Sequence, residues 1–176
     1  MNNITDFEMG VLGFLKNNPM HGYAIHNQIM KLSSVGLIWN IKQGRLYQML
    51  GKLEENGCVQ SRDISQKNRP TRRPFEITEK GLDIFNHWKM RPIKRGRDFR
   101  IIFLLKLFFV MEEGNMESLE LLDFQLSECK KWILQREKSK NELEDTFPYL
   151  VDNFRTSQIE HYIKWLNWCQ EFIRSK

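Results

Sequence analysis

The sequence predicts a mainly α-helical protein with one small β-hairpin, in which a winged helix-turn-helix domain precedes an all-helical domain. Three observations indicate this fold class: helical spacing of apolar residues before Gly57, two short strand-like segments around a basic turn, and an all-helical pattern beyond Pro92. Residues 1–97 hold 16 Lys and Arg against 8 Asp and Glu, whereas residues 98–176 hold 11 against 14. A polyanionic partner is therefore expected to face the first half of the chain.

Two short helices are expected at the start of the chain. Thr5 can cap the first of them with Glu8 as its capping-box partner, and apolar residues recur at helical spacing up to Lys16. The Asn-Asn-Pro sequence that follows ends this helix. A second helix is expected over about residues 22–31, and Tyr23 is expected to pack it rather than to touch a ligand.

The third helix has the clearest single apolar stripe. It is expected from about Lys42 to Asn56, because Gly57 is typical of the residue that follows a helix end. Its buried positions, at i, i+3, i+4 and i+7 spacing, are predicted to be Leu46, Met49, Leu50 and Leu53.

A β-hairpin is predicted directly after the third helix. Short strands are expected at 58–64 and 75–78, and the basic turn between them, 66–74, contains two prolines. Thr78 then suits the cap of a fourth helix. Three helices, a hairpin with a basic tip and a following helix make up the winged helix-turn-helix plan.

The region beyond Pro92 is predicted to be helical throughout. The apolar segment 98–113 ends before Gly114, Asn115 can cap a long helix to about Asp145, and Pro148 marks a break before a last helix near 156–174. Two stripes with heptad spacing are predicted to form a dimer interface: Leu119, Leu122, Leu126, Cys129 and Ile133, with Ile159, Tyr162, Leu166, Cys169 and Ile173. The expected domains are a winged-helix domain over 1–97 and a helical dimerisation domain over 98–176.

Composition and motif content exclude several classes of protein. The three cysteines are far apart and fit neither a disulfide framework nor a zinc site, and the four histidines have no metal-binding spacing. The longest apolar run, Ile101 to Met111, is well short of the roughly 20 residues that span a bilayer. No export signal is recognised, so a cytoplasmic protein without a membrane partner is expected. Without a phosphate loop, a nucleophile motif or paired carboxylates, we expect no enzyme, no metal and no cofactor.

Four stretches, taken in order, resemble the PadR family of transcriptional regulators. They are Pro19-Met20-His21-Gly22-Tyr23; Trp39 with Gly44-Arg45-Leu46-Tyr47-Gln48-Met49-Leu50; Leu53-Glu54-Glu55-Asn56-Gly57; and Asn68-Arg69-Pro70-Thr71-Arg72-Arg73 with Phe75-Glu76-Ile77-Thr78-Glu79-Lys80-Gly81. The likeness covers residues 7–90, and the segment from Asp98 onward resembles the helical C-terminal domain of the larger PadR subfamily. Gln48 departs from the pattern, since the family usually has Pro there. The resemblance implies that the third helix is a recognition helix for DNA.

The predicted DNA-binding residues lie on the third helix and on the basic turn. They are Lys42, Gln43, Gly44, Arg45, Tyr47, Gln48 and Lys52 on the helix, and Lys67, Arg69, Arg72 and Arg73 on the turn. Arginine can read guanine and glutamine adenine, whereas cationic side chains neutralise phosphates. Gly44 would let the helix start approach the DNA backbone closely, and the resemblance implies a phosphate contact for Tyr47. The alternative interpretation is that these residues form only a solvated face.

The expected function is that of a sequence-specific regulator of transcription, a repressor that binds double-stranded DNA as a homodimer on an inverted repeat. The resemblance also implies that a planar small-molecule effector can bind. Trp165 and Trp168 offer a lining for it, although the same residues suit a dimer core. The alternative function is a winged-helix protein-interaction module without sequence-specific DNA binding. The basic cluster of the turn favours DNA, since an interaction module needs no such cluster.

Overall fold

The computed structural model describes residues 4–61, 73–139 and 145–176. The chain divides into two compact units, which we call unit 1 (Met1–Lys89 with Arg100–Phe109) and unit 2 (Met90–Phe99 with Val110–Lys176). The predicted domain boundary between residues 97 and 98 stays a prediction. Among the helices of the described residues, none combines the length and the apolar character needed to cross a membrane.

Unit 1 begins with two helices connected through a two-residue strand. In helix α1 (Asp6–Leu15) the predicted capping box is confirmed: the Glu8 amide donates to the Thr5 hydroxyl at 3.3 Å, and the Thr5 amide donates to the Glu8 carboxylate at 2.8 Å. Strand β1 (Met20–His21) and helix α2 (Gly22–Asn27) follow. The predicted second helix then changes its winding, with a π-helical turn over Gln28–Leu32 and a 3₁₀-helix over Ser34–Leu37.

Helix α3 (Gln43–Glu55) turns its predicted stripe inward, since Leu46, Met49, Leu50 and Leu53 are all buried. Gly57 follows with a φ of 67°, the left-handed conformation that commonly ends a helix. Strands β2 (Val59–Ser61) and β3 (Pro74–Ile77) form the predicted antiparallel hairpin. The sequence did not predict that β1 would join them. It pairs with β3 and gives a three-stranded antiparallel sheet in the order β1-β3-β2.

Two further helices complete unit 1. Helix α4 (Glu79–Met90) begins after Thr78, whose hydroxyl accepts a hydrogen bond from the Gly81 amide at 3.1 Å, as the predicted cap requires. A 3₁₀-helix (Gly96–Asp98) and a π-helical turn (Phe99–Phe103) lead to helix α5 (Leu104–Met111).

The core of unit 1 depends on an aromatic side chain of α5. Phe109 packs edge-to-face against Phe14 and Phe85, with ring centroids 5.1 and 5.2 Å apart. Its ring also fills the space over Gly13, where an added Cβ would lie 2.4 Å from the nearest ring atom. Since such ring pairs and close packing stabilise a core, α5 is an integral part of the unit.

Unit 2 consists of two long helices and the segment that precedes α5. Helices α6 (Asn115–Ser139) and α7 (Thr146–Arg174) pack on each other. The Ile93 amide donates to the Gln125 side chain on α6 at 2.8 Å, and the Phe99 ring stacks on Tyr162 of α7 with centroids 4.0 Å apart. These contacts tie the segment 90–99 to both helices.

Two predicted helix starts in this unit were wrong. The last helix begins at Thr146 instead of near Thr156, so Pro148 lies in its first turn and does not break it. Backbone amides in the first turn have no partner within the helix, and a proline there therefore loses no hydrogen bond. Asn115 is the first residue of α6 rather than its cap, and the Gly114 carbonyl accepts from the Ser118 amide at 3.3 Å. Residues 140–144, which the prediction included in the long helix, lie outside the described residues.

The predicted dimer interface needs a correction, because most of its residues are covered within one chain. Leu122, Leu126, Cys129, Ile159, Leu166, Cys169 and Ile173 are buried, and Leu119, Ile133 and Tyr162 are half-buried. Heptad spacing places apolar residues on one helix face, but packing between two helices of the same chain satisfies that face as well as a second copy does. A buried side chain has no surface to offer a partner.

Candidate nucleic-acid interface

The first two turns of α3 present a polar face to solvent. Because the stripe beginning at Leu46 is buried, the residues on the other side of the helix are exposed. They include most of the predicted contacts: Lys42, which precedes the helix, and Gln43, Gly44, Arg45, Tyr47 and Gln48. The Arg45 guanidinium donates to the Gln48 side-chain oxygen at 3.2 Å. The two residues proposed to read bases are thus neighbours, one turn apart.

Gly44 is open to solvent on its side-chain side. A Cβ added there would meet no atom within 4 Å, and the same is true of Gly51, two turns later on the helix. Among residues 4–61, 73–139 and 145–176, no packing contact requires either glycine. The predicted role of Gly44 in a close approach to DNA stays a prediction, but an alanine there can test it without disturbing the fold.

Tyr47 lies against the start of α2. A Cβ added to Gly22 would lie 2.6 Å from the nearest ring atom of Tyr47 and 2.9 Å from its hydroxyl oxygen. The glycine of the Pro-Met-His-Gly-Tyr motif is therefore needed for this close approach, while the Tyr47 side chain remains 44% exposed. The prediction that Tyr23 packs the second helix was wrong, since this residue is 62% exposed.

Lys52, the last predicted contact on α3, has a partner within unit 1. Its ammonium nitrogen lies 3.5 Å from a carboxylate oxygen of Glu8, a residue that is buried at the start of α1. The other Glu8 oxygen accepts from the Thr5 amide in the capping box. Lys52 therefore supplies a counter-charge to this buried carboxylate, a structural role that the sequence did not predict.

Arg73 is held at the base of the hairpin by two residues, Glu54 and Ser61, and we call these three residues the wing clamp. The guanidinium donates to the two Glu54 oxygens at 3.0 and 2.8 Å and to the Ser61 hydroxyl at 2.5 Å. The Ser61 hydroxyl in turn donates to Glu54 at 2.5 Å. The Ser61 hydrogen bond and, less strongly, the Arg73 guanidinium lower the pKa of the Glu54 carboxyl below its ordinary value, against the opposing effect of burial.

The wing clamp joins the end of α3 to both hairpin strands, since Glu54 lies on α3, Ser61 ends β2 and Arg73 precedes β3. Arg73 is thus a positioned residue, engaged by a carboxylate of its own chain. The other predicted contacts of the basic turn, Lys67, Arg69 and Arg72, lie outside the described residues.

Both halves of the chain match known families. Residues 11–86 match the transcriptional regulator PadR-like family, and residues 99–174 match the family described as virulence activator alpha C-term. The negative transcriptional regulator PadR of Bacillus subtilis (strain 168) is 22% identical over 167 residues, which cover 89% of this chain and 91% of that protein.

Similar solved structures include two complexes of Bacillus subtilis PadR. The complex with operator DNA has a TM-score of 0.48 at 22% identity and covers 95% of this chain and 98% of that one. The complex with p-coumaric acid has a TM-score of 0.44 at 21% identity and covers 97% and 99%.

Proposed function

The chain belongs to the PadR-like family of transcriptional regulators, and from this premise we propose that it is a repressor that binds an inverted-repeat operator as a homodimer. The observation that carries the proposal is the exposed polar face at the start of α3, a helix whose last turn is joined to both hairpin strands by the wing clamp. The proposal assigns the chain no catalytic role.

In the proposed complex, the start of α3 enters the major groove. Arg45 and Gln48 contact base edges, since their side chains can make bidentate bonds to guanine and adenine. Lys42 and Tyr47 contact phosphates and fix the register of the helix on the duplex. The cationic residues Lys67, Arg69 and Arg72 lie along the backbone and supply affinity that does not depend on sequence.

We propose that residues 1–97 bind DNA and that residues 98–176 dimerise through side chains other than most of those predicted. Large exposed apolar residues occur on the two long helices: Met116, Phe124 and Leu134 on α6, and Phe147, Tyr149, Leu150, Phe154, Trp168 and Phe172 on α7. Among them, Trp168 and Phe172 stack on each other with ring centroids 5.4 Å apart, and a neighbouring pair of exposed rings suits contact with a partner. A second copy is the simplest one, because a two-fold axis would place two recognition helices about 34 Å apart, as an inverted repeat requires.

The experiment that tests the function is selection of bound sequences from random double-stranded DNA, followed by affinity measurements over a range of salt concentrations. We expect one enriched inverted repeat and an affinity that falls with salt. The variant Arg45→Ala with Gln48→Ala is the control and should lose the enrichment while it keeps salt-dependent binding. If the intact protein enriches no sequence, the interaction-module alternative replaces the proposal.

We further propose that a small molecule regulates the binding of DNA. Support comes from a cleft of ligand size in unit 2, whose chemistry allows a more specific inference.

A further inference from the structure

Unit 2 contains a cleft between the segment 94–97 and the facing sides of α6 and α7. Its volume is about 840 Å³, which lies within the usual range of small-molecule sites, roughly 300–1,000 Å³. The segment 94–97 lies in the stretch of chain that leaves unit 1 after Lys89 and returns to it at Arg100.

One wall of the cleft is aromatic and is held in place. Tyr162 lines it, and its ring stacks on Phe99 with planes 4° apart while its hydroxyl donates to the Gly96 carbonyl at 3.3 Å. Burial, with a smaller effect of Cys129, raises the pKa of the Tyr162 phenol, so this wall carries no charge at neutral pH. Trp132, which is half-buried, lines the same cleft. Because the Tyr162 ring is already held in place, a planar ligand ring can stack on it with little loss of side-chain conformational entropy.

The rest of the lining is strongly cationic. Five Lys and Arg residues line the cleft against a single carboxylate, Asp152. Three of the five have carboxylate partners: Lys94 lies 2.9 Å from Glu128, Arg136 pairs with Asp152, and Arg97 lies 3.8 Å from Asp98.

The remaining two cations, Arg95 and Arg155, are exposed and face no carboxylate within 4 Å among residues 4–61, 73–139 and 145–176. Because both guanidinium groups line one cleft, a ligand group with two negative charges can pair with both of them. Their planar donor pairs match the oxygens of a phosphate or a carboxylate.

We infer that this cleft binds a small aromatic dianion, namely an aryl phosphate or a nucleoside monophosphate. The ring lies on the wall of Trp132 and Tyr162, and the phosphate is bound by Arg95 and Arg155. Binding of the ligand does not depend on the proposed function, since it needs no DNA. Only the expected effect of the ligand on DNA binding rests on that function. If the protein has two conformations that differ in affinity for DNA, a ligand that prefers one of them changes the affinity for DNA. By linkage, DNA then changes the affinity for the ligand by the same factor.

The test is isothermal titration calorimetry of the full chain, without DNA, against adenosine 5′-monophosphate and phenyl phosphate. We expect saturable binding of at least one of them, with one site per chain. Adenosine lacks the dianion, inorganic phosphate lacks the ring, and benzoate carries a single charge, so each should bind roughly tenfold or more weakly. Tight binding of adenosine 5′-monophosphate alone identifies a nucleotide site, and tight binding of phenyl phosphate identifies an aryl phosphate site.

Variants locate the site. Arg95→Gln and Arg155→Gln should each weaken binding by roughly tenfold or more, because each removes a charged hydrogen-bond donor. Arg174 is exposed and lies on α7, as Arg155 does, but it does not line the cleft. Arg174→Gln should therefore have no effect. Arg45→Gln is a second control, which tests whether the phosphate compounds bind at α3 instead of in the cleft.

The inference is overturned if neither phosphate compound binds saturably, if benzoate binds as tightly as they do, or if Arg45→Gln rather than Arg155→Gln abolishes binding. A chain that selects an operator but binds neither compound overturns this inference alone. A chain that binds a compound but selects no DNA overturns only the proposed function.

Discussion

The Arg73 guanidinium and the Glu54 carboxylate form a two-point contact, with nitrogen–oxygen distances of 2.8 and 3.0 Å. This contact connects the second hairpin strand to the last turn of the recognition helix. A run of positive charge in the sequence predicted that Arg73 would contact phosphate, but a guanidinium engaged by a carboxylate of its own chain must exchange one anion for another. We therefore expect Arg73 to position the hairpin, while Lys67, Arg69 and Arg72 supply most of the affinity for DNA.

Glu54→Gln should make the protein slightly less stable at neutral pH, and this difference should disappear in acid. Because the folded-state pKa of Glu54 is lowered from its ordinary value of 4.5, its stabilising effect is complete above that pH and is lost as the pH falls through the lowered pKa. The pair is partly exposed, so we expect less than about 1 kcal/mol. Urea unfolding at neutral pH and below the lowered pKa measures it, with Glu55→Gln as the matched control. A difference that is equally large in acid would contradict the role of the ion pair.

Gly44→Ala should weaken DNA binding without weakening the fold. The added methyl group meets no atom within 4 Å in the described part of the chain, and alanine favours helix over glycine by up to about 1 kcal/mol. Any loss of affinity would therefore come from contact with DNA. Gly51→Ala has equal space on the same helix but lies farther from its start, and it should keep the parent's affinity. The two variants are compared by thermal unfolding and by titration with the selected operator. Equal affinities would place the helix start away from the DNA backbone.

Arg45→Ala and Gln48→Ala should each cost about 1–3 kcal/mol at the selected operator and relax the preference at one base pair. The side chains are joined by a hydrogen bond of 3.2 Å, so we expect the double variant to deviate from the sum of the single ones. Arg174→Ala is a suitable control, since this exposed arginine lies near the other end of the chain. Repeating the selection with each variant decides the matter: if both recover the parent's sequence, other residues read the bases.

Phe109→Ala should destabilise unit 1 by about 3–5 kcal/mol, because it leaves a cavity between Phe14 and Phe85. Phe108→Ala removes a neighbouring ring that is only half-buried and should cost clearly less. Urea unfolding of the two variants gives the comparison. Equal losses would mean that α5 does not complete the core of this unit.

Trp168→Asp and Leu166→Asp should have different outcomes, although the residues are two positions apart. Leu166 is fully buried, and a charge there should unfold α7 and lower the helical circular dichroism. Trp168 is 56% exposed, so its variant should fold but lose the proposed dimer and show a mass near the 21.2 kDa of one chain. Light scattering and circular dichroism separate these results, with Asn167→Asp as the control. A folded Trp168→Asp protein of twice that mass would exclude this face as the interface.

Local features of the winged-helix region were predictable from the sequence. The capping box of Thr5 and Glu8, the stripe of α3 and the left-handed Gly57 each depend on residues within one helix or at its ends. Their physical causes, an amide without a partner, an apolar helix face and a backbone without a Cβ, can be recognised in a few neighbouring residues.

Features that join distant residues were not predictable in the same way. The pairing of Met20 with Phe75, the clamp between Glu54 and Arg73 and the contact of Lys52 with Glu8 all depend on how separate elements pack. The heptad stripes were recognised correctly as apolar helix faces, but their spacing is the same whether the neighbour is another helix of the chain or a second copy. Only the burial of residues such as Leu166 distinguishes these cases.

The return of the chain to unit 1 over Arg100–Phe109 limits how regulators of this architecture can recombine. A chimera with one junction after Lys89 would combine residues 1–89 of one protein with the α5 of another. The side chain at position 109 of that foreign α5 would have to pack directly on Gly13, where there is no room even for a methyl group. A junction after Phe109 keeps that core but separates the segment 90–99 from the α6 and α7 against which it packs. Exchange of DNA specificity between homologues is therefore expected to proceed by substitution on α3 more readily than by domain shuffling.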